Sequence, residues 1–328
     1  MKNQLAKSHL FLVAVITFAA FVIESGSVTA YALQNNLTGE WVAHFDSKKT
    51  DVLNIMFTRR PNPTSINQTS RNVALGELKG LTLQTVSSGK SNVNFRIVRE
   101  AGTFEFEGLF NDGKGVGFWT LTPNQSFVSA MRSRGYENLT ENELASAAMN
   151  DLTAGFVENL KSAGYGSLEF GKVLRAKSHN ITPDFIRDVQ SAGFENLTMD
   201  QIIRAKNHNI NSDYAKQVRA MGFERQPLET LIRMRNHKIT AEFVAQMRSA
   251  GFENLSVEQL IRLKNHQITP EFVNGIRAEG YAAISPEAAI RLKSNKVDRD
   301  FIQRVKGKNL NDVTLEQLIK LRRQEIVK

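Results

Sequence analysis

No cysteine occurs in the 328 residues, which excludes disulfides, zinc ribbons, thiol catalysis and a lipid-modified cysteine. Histidine numbers six and proline seven, and both tryptophans, Trp41 and Trp119, fall in the first 120 residues. His-Glu-x-x-His, Gly-x-Ser-x-Gly and Gly-x-x-x-x-Gly-Lys-Ser/Thr are all missing, so zinc-peptidase, serine-hydrolase and P-loop chemistry lack their carriers. Only one long apolar run is present, at the amino terminus. The chain is not poor in apolar residues: 41% are hydrophobic and 23% charged, a balance that folds rather than staying disordered. Its formal net charge is +9.

The amino terminus reads as an address. Lys2 and Lys7 precede the apolar run Leu10–Ile23. As a helix that run covers about 21 Å, short of the ~30 Å hydrocarbon core. Ala30-Tyr31-Ala32 has the small-x-small form that signal peptidase accepts. The expectation is a signal peptide over residues 1–32, cleaved after Ala32, and an exported protein, periplasmic or extracellular. The alternative is an uncleaved membrane anchor over residues 10–32. Cleavage removes two lysines and one glutamate and leaves a net charge of +8.

From Leu37 to about Thr122 the pattern is that of strands. Gly39–Phe45, Val52–Thr58, Val93–Val98, Thr103–Phe110 and Val116–Leu121 are rich in β-branched and aromatic residues. Phe104, Phe106 and Phe110 lie at even spacing and so share one face. Asn111-Asp112-Gly113 is a hairpin turn. Arg60–Ser70, with Pro61, Pro63 and many polar residues, reads as a loop. Residues 33–124 are expected to form a small antiparallel β domain, a sandwich or half-open roll, with Trp41 and Trp119 in its core.

From Phe127 the period changes. Phe127, Phe156, Phe185, Tyr214, Phe243, Phe272 and Phe301 are each 29 residues apart, as are Gly135, Gly164, Gly193, Gly222, Gly251 and Gly280. Such drift-free self-similarity marks a repeat array. In Thr269-Pro270-Glu271 a threonine caps a helix, a proline takes its first position and a glutamate faces the positive dipole end. Gly280 ends that helix, because glycine adopts the left-handed conformation cheaply. Ser256…Gln259 opens a second helix with a capping box, repeated at Thr140…Glu143, Thr198…Gln201 and Thr314…Gln317. Helices this short are marginal alone and must stack. The fold class is therefore α+β and multidomain: the β domain, then seven 29-residue helical hairpins over residues 125–328, an α-solenoid-like array. The end units are degenerate, with Ala148-Met149-Asn150 in place of Lys-Asn-His and Asn309-Leu310 in place of glycine-aromatic.

Three phased columns invite chemistry. His179, His208, His237 and His266 suggest a metal, but stacked units place equivalent atoms about 8–10 Å apart, whereas zinc ligands all sit about 2 Å from one ion. The expected role is that of a donor meeting orphan carbonyls at a helix carboxyl end. Arg175, Arg204, Arg233, Arg262 and Arg291 lie opposite the apolar stripe and are expected in solvent; they are the candidate interaction surface. Lys177, Lys206, Arg235, Lys264 and Lys293 fall near the middle of the apolar face, with stems expected to pack and charges to reach carbonyls or an acid. Asn138, Asn196 and Asn254 begin Asn-Leu-Thr/Ser triplets whose Thr or Ser is a helix cap rather than part of a glycosylation site. No metal or cofactor is expected, and few aromatics interleave with the basic columns, which speaks against nucleic acid.

The unit from Gly251-Phe252-Glu253-Asn254-Leu255-Ser256 through Gln259-Leu260-Ile261-Arg262-Leu263-Lys264-Asn265-His266 to Thr269-Pro270-Glu271-Phe272-Val273 resembles helical repeats of bacterial exported proteins. It is similar to the carboxyl-terminal repeats of some proteins classed with the BlaR-type membrane metallopeptidases. Arg99-Glu100-Ala101-Gly102-Thr103-Phe104 through Phe118 resembles the segment preceding such repeats, so the likeness spans about residues 37–328. The peptidase's zinc motif and membrane helix bundle are missing, so the resemblance implies the repeat and not the activity. The expected function is a non-catalytic exported binding or scaffold protein whose partner is a protein or peptide, with membrane contact only if the amino-terminal segment stays uncleaved. One alternative is binding of a cell-envelope polyanion through the arginine columns. A second is an enzyme with Glu40, His44 and Asp46 on or beside one β strand.

Overall fold

The computed structural model describes residues 37–45 and 51–324; the expected signal segment and Asp46 lie outside them. Six strands form one antiparallel sheet: β1 (Thr38–Phe45), β2 (Val52–Asn62), β3 (Ser65–Ala74), β4 (Ser91–Arg99), β5 (Gly102–Asn111) and β6 (Lys114–Pro123), in the order β3-β2-β1-β6-β5-β4. Two three-strand meanders thus meet at β1 and β6, where Trp41 is paired with Gly117. Alternation sends Trp41, Phe57, Phe95, Phe104, Phe106, Phe110 and Trp119 to one buried face. Trp41 on β1 reaches Phe95 on β4 with ring centroids 5.4 Å apart, and Phe57 on β2 reaches Phe104 on β5 at 5.4 Å. Each pair is three strands apart, roughly 14 Å across a flat sheet, so the sheet curls onto its own aromatics as a half-open roll. Close approach requires glycine beneath the rings: a Cβ on Gly39 would stand 2.5 Å from the Trp119 ring and one on Gly115 2.6 Å from Trp41. Both indoles keep a partner, Trp41 Nε1 donating to Glu107 O at 3.1 Å and Trp119 Nε1 to Glu40 O at 3.0 Å.

Arg60–Ser70 is not a loop. β2 runs on to Asn62 and β3 begins at Ser65. β3 is an edge strand, paired only with β2, and Val73 is its only fully buried residue; an edge needs no apolar alternation and tolerates proline where the ladder slips. The register shift between Arg59 and Asn62 accommodates Pro61. The turn expected at Asn111–Gly113 is present, with Asp112 at φ 47° and Gly113 at φ 78°, as a two-residue hairpin of the mirror type requires. A short helix, α1 (Leu83–Ser87), adds Val86 to the core.

Fourteen further helices follow among the described residues, as seven hairpins. The first helix of each pair is α2 (Gln125–Arg132), α4 (Ala154–Leu160), α6 (Pro183–Ser191), α8 (Ser212–Ala220), α10 (Ala241–Ser249), α12 (Pro270–Ala278) and α14 (Arg299–Lys306). The second is α3 (Glu141–Met149), α5 (Phe170–Ser178), α7 (Met199–Asn207), α9 (Leu228–Asn236), α11 (Val257–Asn265), α13 (Pro286–Ser294) and α15 (Leu315–Arg323). The expected caps are all made: Thr140, Thr198, Ser256 and Thr314 form capping boxes, and Thr182, Thr240 and Thr269 accept from the third helical N–H. Gly135, Gly164, Gly193, Gly222, Gly251 and Gly280 all have φ between +79° and +96°.

Contacts divide the described residues into two compact units, one up to Ser178 and one from His179, so the first two hairpins belong with the sheet. Three strand ends hold the first of them. Arg59 on β2, with a side chain only 5% exposed, donates to Asn142 Oδ1 and pairs with Glu141 at 3.6 Å. Arg71 on β3 donates to Met149 O and Asn150 Oδ1 at the carboxyl end of α3. At the end of β4, Arg99 pairs with Asp151 at 3.7 Å, and the next residue, Glu100, accepts the first N–H of α4 at 2.8 Å. In the second unit, first helices pack on first helices and second on second, hairpin after hairpin.

Candidate functional site

Within residues 179–328 the phased side chains form ladders. Arg204, Arg233, Arg262 and Arg291 are half exposed, as the wheel placement requires, and each faces a carboxylate 25 residues on, at the start of the next second helix. Arg204 grips Glu229 with both guanidinium nitrogens at 2.5 and 2.6 Å, Arg291 grips Glu316 in the same bidentate way, Arg233 donates to Glu258, and Arg262 stands 3.8 Å from Glu287. The Arg291 guanidinium holds the Glu316 carboxyl below its ordinary pKa. Arg175 is exposed in the last turn of α5. The arginine column is thus not a bare cationic ridge through the second unit, because each rung there carries its own counter-charge.

Apart from Arg235, the lysine column reaches neither of the partners expected for it. Lys177 stands over the Phe156 ring (5.4 Å to the centroid), Lys206 over Phe185 (4.6 Å), Arg235 over Tyr214 (4.2 Å), Lys264 over Phe243 (4.4 Å) and Lys293 over Phe272 (4.8 Å), and Arg322 continues the series over Phe301 (5.0 Å). Each rung joins the two helices of one hairpin, at distances where a cation is attracted to a ring face. Arg235 alone also reaches a carbonyl, Asn209 O at 2.9 Å. The reason for the difference is local. The carbonyls at these helix ends are already taken by backbone N–H groups, Ile210 to Ala205 O at 2.8 Å and Ile268 to Leu263 O at 3.0 Å, in the Schellman arrangement.

The same backbone closure redirects the histidines. His179, His208 and His237 turn Nδ1 to Asn207, Asn236 and Asn265 Oδ1, each at 2.9 Å, and His266 meets Ser294 Oγ at 3.2 Å. An amide oxygen accepts, so Nδ1 carries the proton in the first three. A fourth column was missed in the sequence although its signal is the same 29-residue phase: Arg219, Arg248, Arg277 and Lys306 donate to the last carbonyls of the preceding first helix, Ala192, Met221, Ala250 and Glu279 O. Glu279 gathers the most. Its side chain, only 10% exposed, accepts from Arg299 at 3.0 Å, Gln303 at 2.8 Å and Lys306 at 3.3 Å, and these donors hold its pKa below the ordinary value.

A cleft of about 340 Å³ lies between the fourth and fifth hairpins, lined by Phe223, Val244, Arg248, Phe252, Leu255 and Leu260 among others. On the sheet, Glu40 and His44 are both exposed on β1. They are four residues apart along one strand, about 13 Å, and Glu40 pairs with Arg60 at 3.7 Å. Among the described residues no group of three or more His, Asp or Glu side chains is placed to hold a metal, and no helix is long and apolar enough to cross a membrane.

No family model, no curated protein and no solved structure matches this chain.

Proposed function

We propose that this chain is a non-catalytic binding or scaffold protein of the cell exterior that offers its hairpin array to a protein or peptide. The observation that supports the reading is the contrast between a constant frame and a varied face. The arginine, lysine and histidine columns are engaged within the array from hairpin to hairpin. On the outer side of the first helices, by contrast, Glu158, Arg187, Lys216, Ala245, Asn274 and Gln303 occupy one repeat position and are all exposed. Charge of either sign, amide and methyl alternate there over an unvarying backbone, the arrangement that lets a repeat protein recognise an extended partner.

Capture of partners from the native envelope tests the reading. A chain with Arg187, Lys216 and Asn274 replaced by alanine, all exposed, should keep its melting temperature and lose its partner. Salt separates the polyanion alternative, because counter-ion screening should release an anionic polymer while an interface with an apolar centre persists. Export is tested apart from binding: the mature chain should begin near Leu33 by intact mass, and retention of residues 1–32 would contradict the cleaved-signal reading.

A further inference from the structure

The aromatic after each glycine stands 32 residues before a backbone carbonyl of the next hairpin. Tyr136 donates its hydroxyl to Leu168 O at 3.0 Å, and Tyr281 donates to Val313 O at 2.6 Å. The same carbonyl in the fifth hairpin is Leu255 O, and the residue 32 positions before it is Phe223, which has no hydroxyl to give. Leu255 O receives no hydrogen bond among the described residues. Phe223 and Leu255 are also two of the residues that line the cleft between the fourth and fifth hairpins. The phenol is also absent at Phe194 and Phe252, but the opening lies at Phe223, where two aromatic residues, Phe223 and Phe252, line it beside an unanswered acceptor.

Resting on the protein-binding reading, we infer that this cleft takes a tyrosine side chain from a protein partner, its ring against Phe223 and Phe252 and its hydroxyl donating to Leu255 O. Leu255 is half-buried, and the chain answers the equivalent carbonyl with a phenol in two other hairpins. The volume, about 340 Å³, is at the small end for ligand sites and suits one aromatic side chain, the residue type that anchors protein interfaces. Arg248 completes the lining as a cation held in place by its bond to Met221 O at 2.7 Å, which adds attraction for a ring face.

The test uses the full chain and N-acetyl-tyrosinamide, followed by backbone amide shifts. Binding should saturate and move the amides of Gly222–Phe223 and Phe252–Ser256. N-acetyl-phenylalaninamide, lacking the donor, should bind roughly three- to tenfold more weakly. Phe223→Tyr supplies the hydroxyl from within and should abolish saturable binding while raising the melting temperature. Equal binding of the two probes, undiminished binding by Phe223→Tyr, a lowered melting temperature in that variant, or no saturation by the wild-type chain would each overturn the inference. If envelope partners are captured equally by wild type and Phe223→Tyr, the cleft assignment falls and the wider binding reading stands.

Discussion

At Gly251 the backbone φ is +79°, and a Cβ there would stand 2.3 Å from the Arg277 guanidinium that closes the preceding helix end. Gly251→Val should therefore cost at least about 1–2 kcal/mol, whereas Arg262→Ala, which removes a half-exposed ion pair, should cost about 1 kcal/mol or less; paired thermal melts compare them. The opposite sign is expected at Gln267, φ +53°. Gln267→Gly relieves a left-handed side chain and should gain roughly 0.5 kcal/mol net of glycine's looser unfolded state. Of these two kinds of position only the glycines were legible in the sequence. Asp151, Asn180, Asn209, Lys238, Gln267 and Lys296 all take positive φ at the end of a second helix, but such varied residues carry no common mark, and only the buried Leu, Ile or Val that follows recurs. For the histidines, each already bonded to the next hairpin, melting curves with and without a chelator should coincide. A chelator-induced fall would mean a metal had been missed.

Helix starts and the sheet's turn were readable because each depends on neighbouring residues: a cap, a proline or a glycine within four positions. β3 was not, because an edge strand with one buried side chain has the composition of a loop. The lysine column, expected near the middle of the apolar face, is half-buried at Lys177, Lys206 and Lys264 and exposed at Arg235 and Lys293; its partner aromatic lies 21 residues earlier, and a wheel drawn for one helix does not see the other. The rung between Lys264 and Phe243 can be measured as an element-level link. A double-mutant cycle with Lys264→Met and Phe243→Leu should give a coupling of about 0.5–1 kcal/mol, the range for a partly exposed cation over a ring. Acid should loosen the last two hairpins first. The pKa values of Glu279 and Glu316 are depressed in the fold, so their stabilisation is complete above the ordinary carboxylate value of about 4.3 and is lost as pH falls through the lower folded values. Hydrogen exchange should show protection around residues 279–316 fading below about pH 4, and Glu279→Gln should flatten that acid limb.

For the whole molecule, the 29-residue phase disclosed the array, its length and its helix order, because a period is a global property written in local residues. It did not disclose that the first two hairpins belong with the sheet, since Arg59, Arg71 and Arg99 are ordinary strand arginines until the fold brings α3 to them. Nor did the candidate surface keep the role its spacing suggested. The arginine column is exposed, as expected, but in the second unit it is bound rung by rung to glutamates that a search for cations passes over. The central claim is that these charges hold hairpin to hairpin rather than waiting for an anionic ligand, and charge reversal across one rung tests it most directly. Arg233→Glu and Glu258→Arg should each lower the melting temperature by a few degrees, about 1 kcal/mol of lost attraction and added repulsion, and the double reversal should recover most of the loss. Single reversals that leave the melting temperature unchanged, or a double reversal whose losses simply add, would contradict the account.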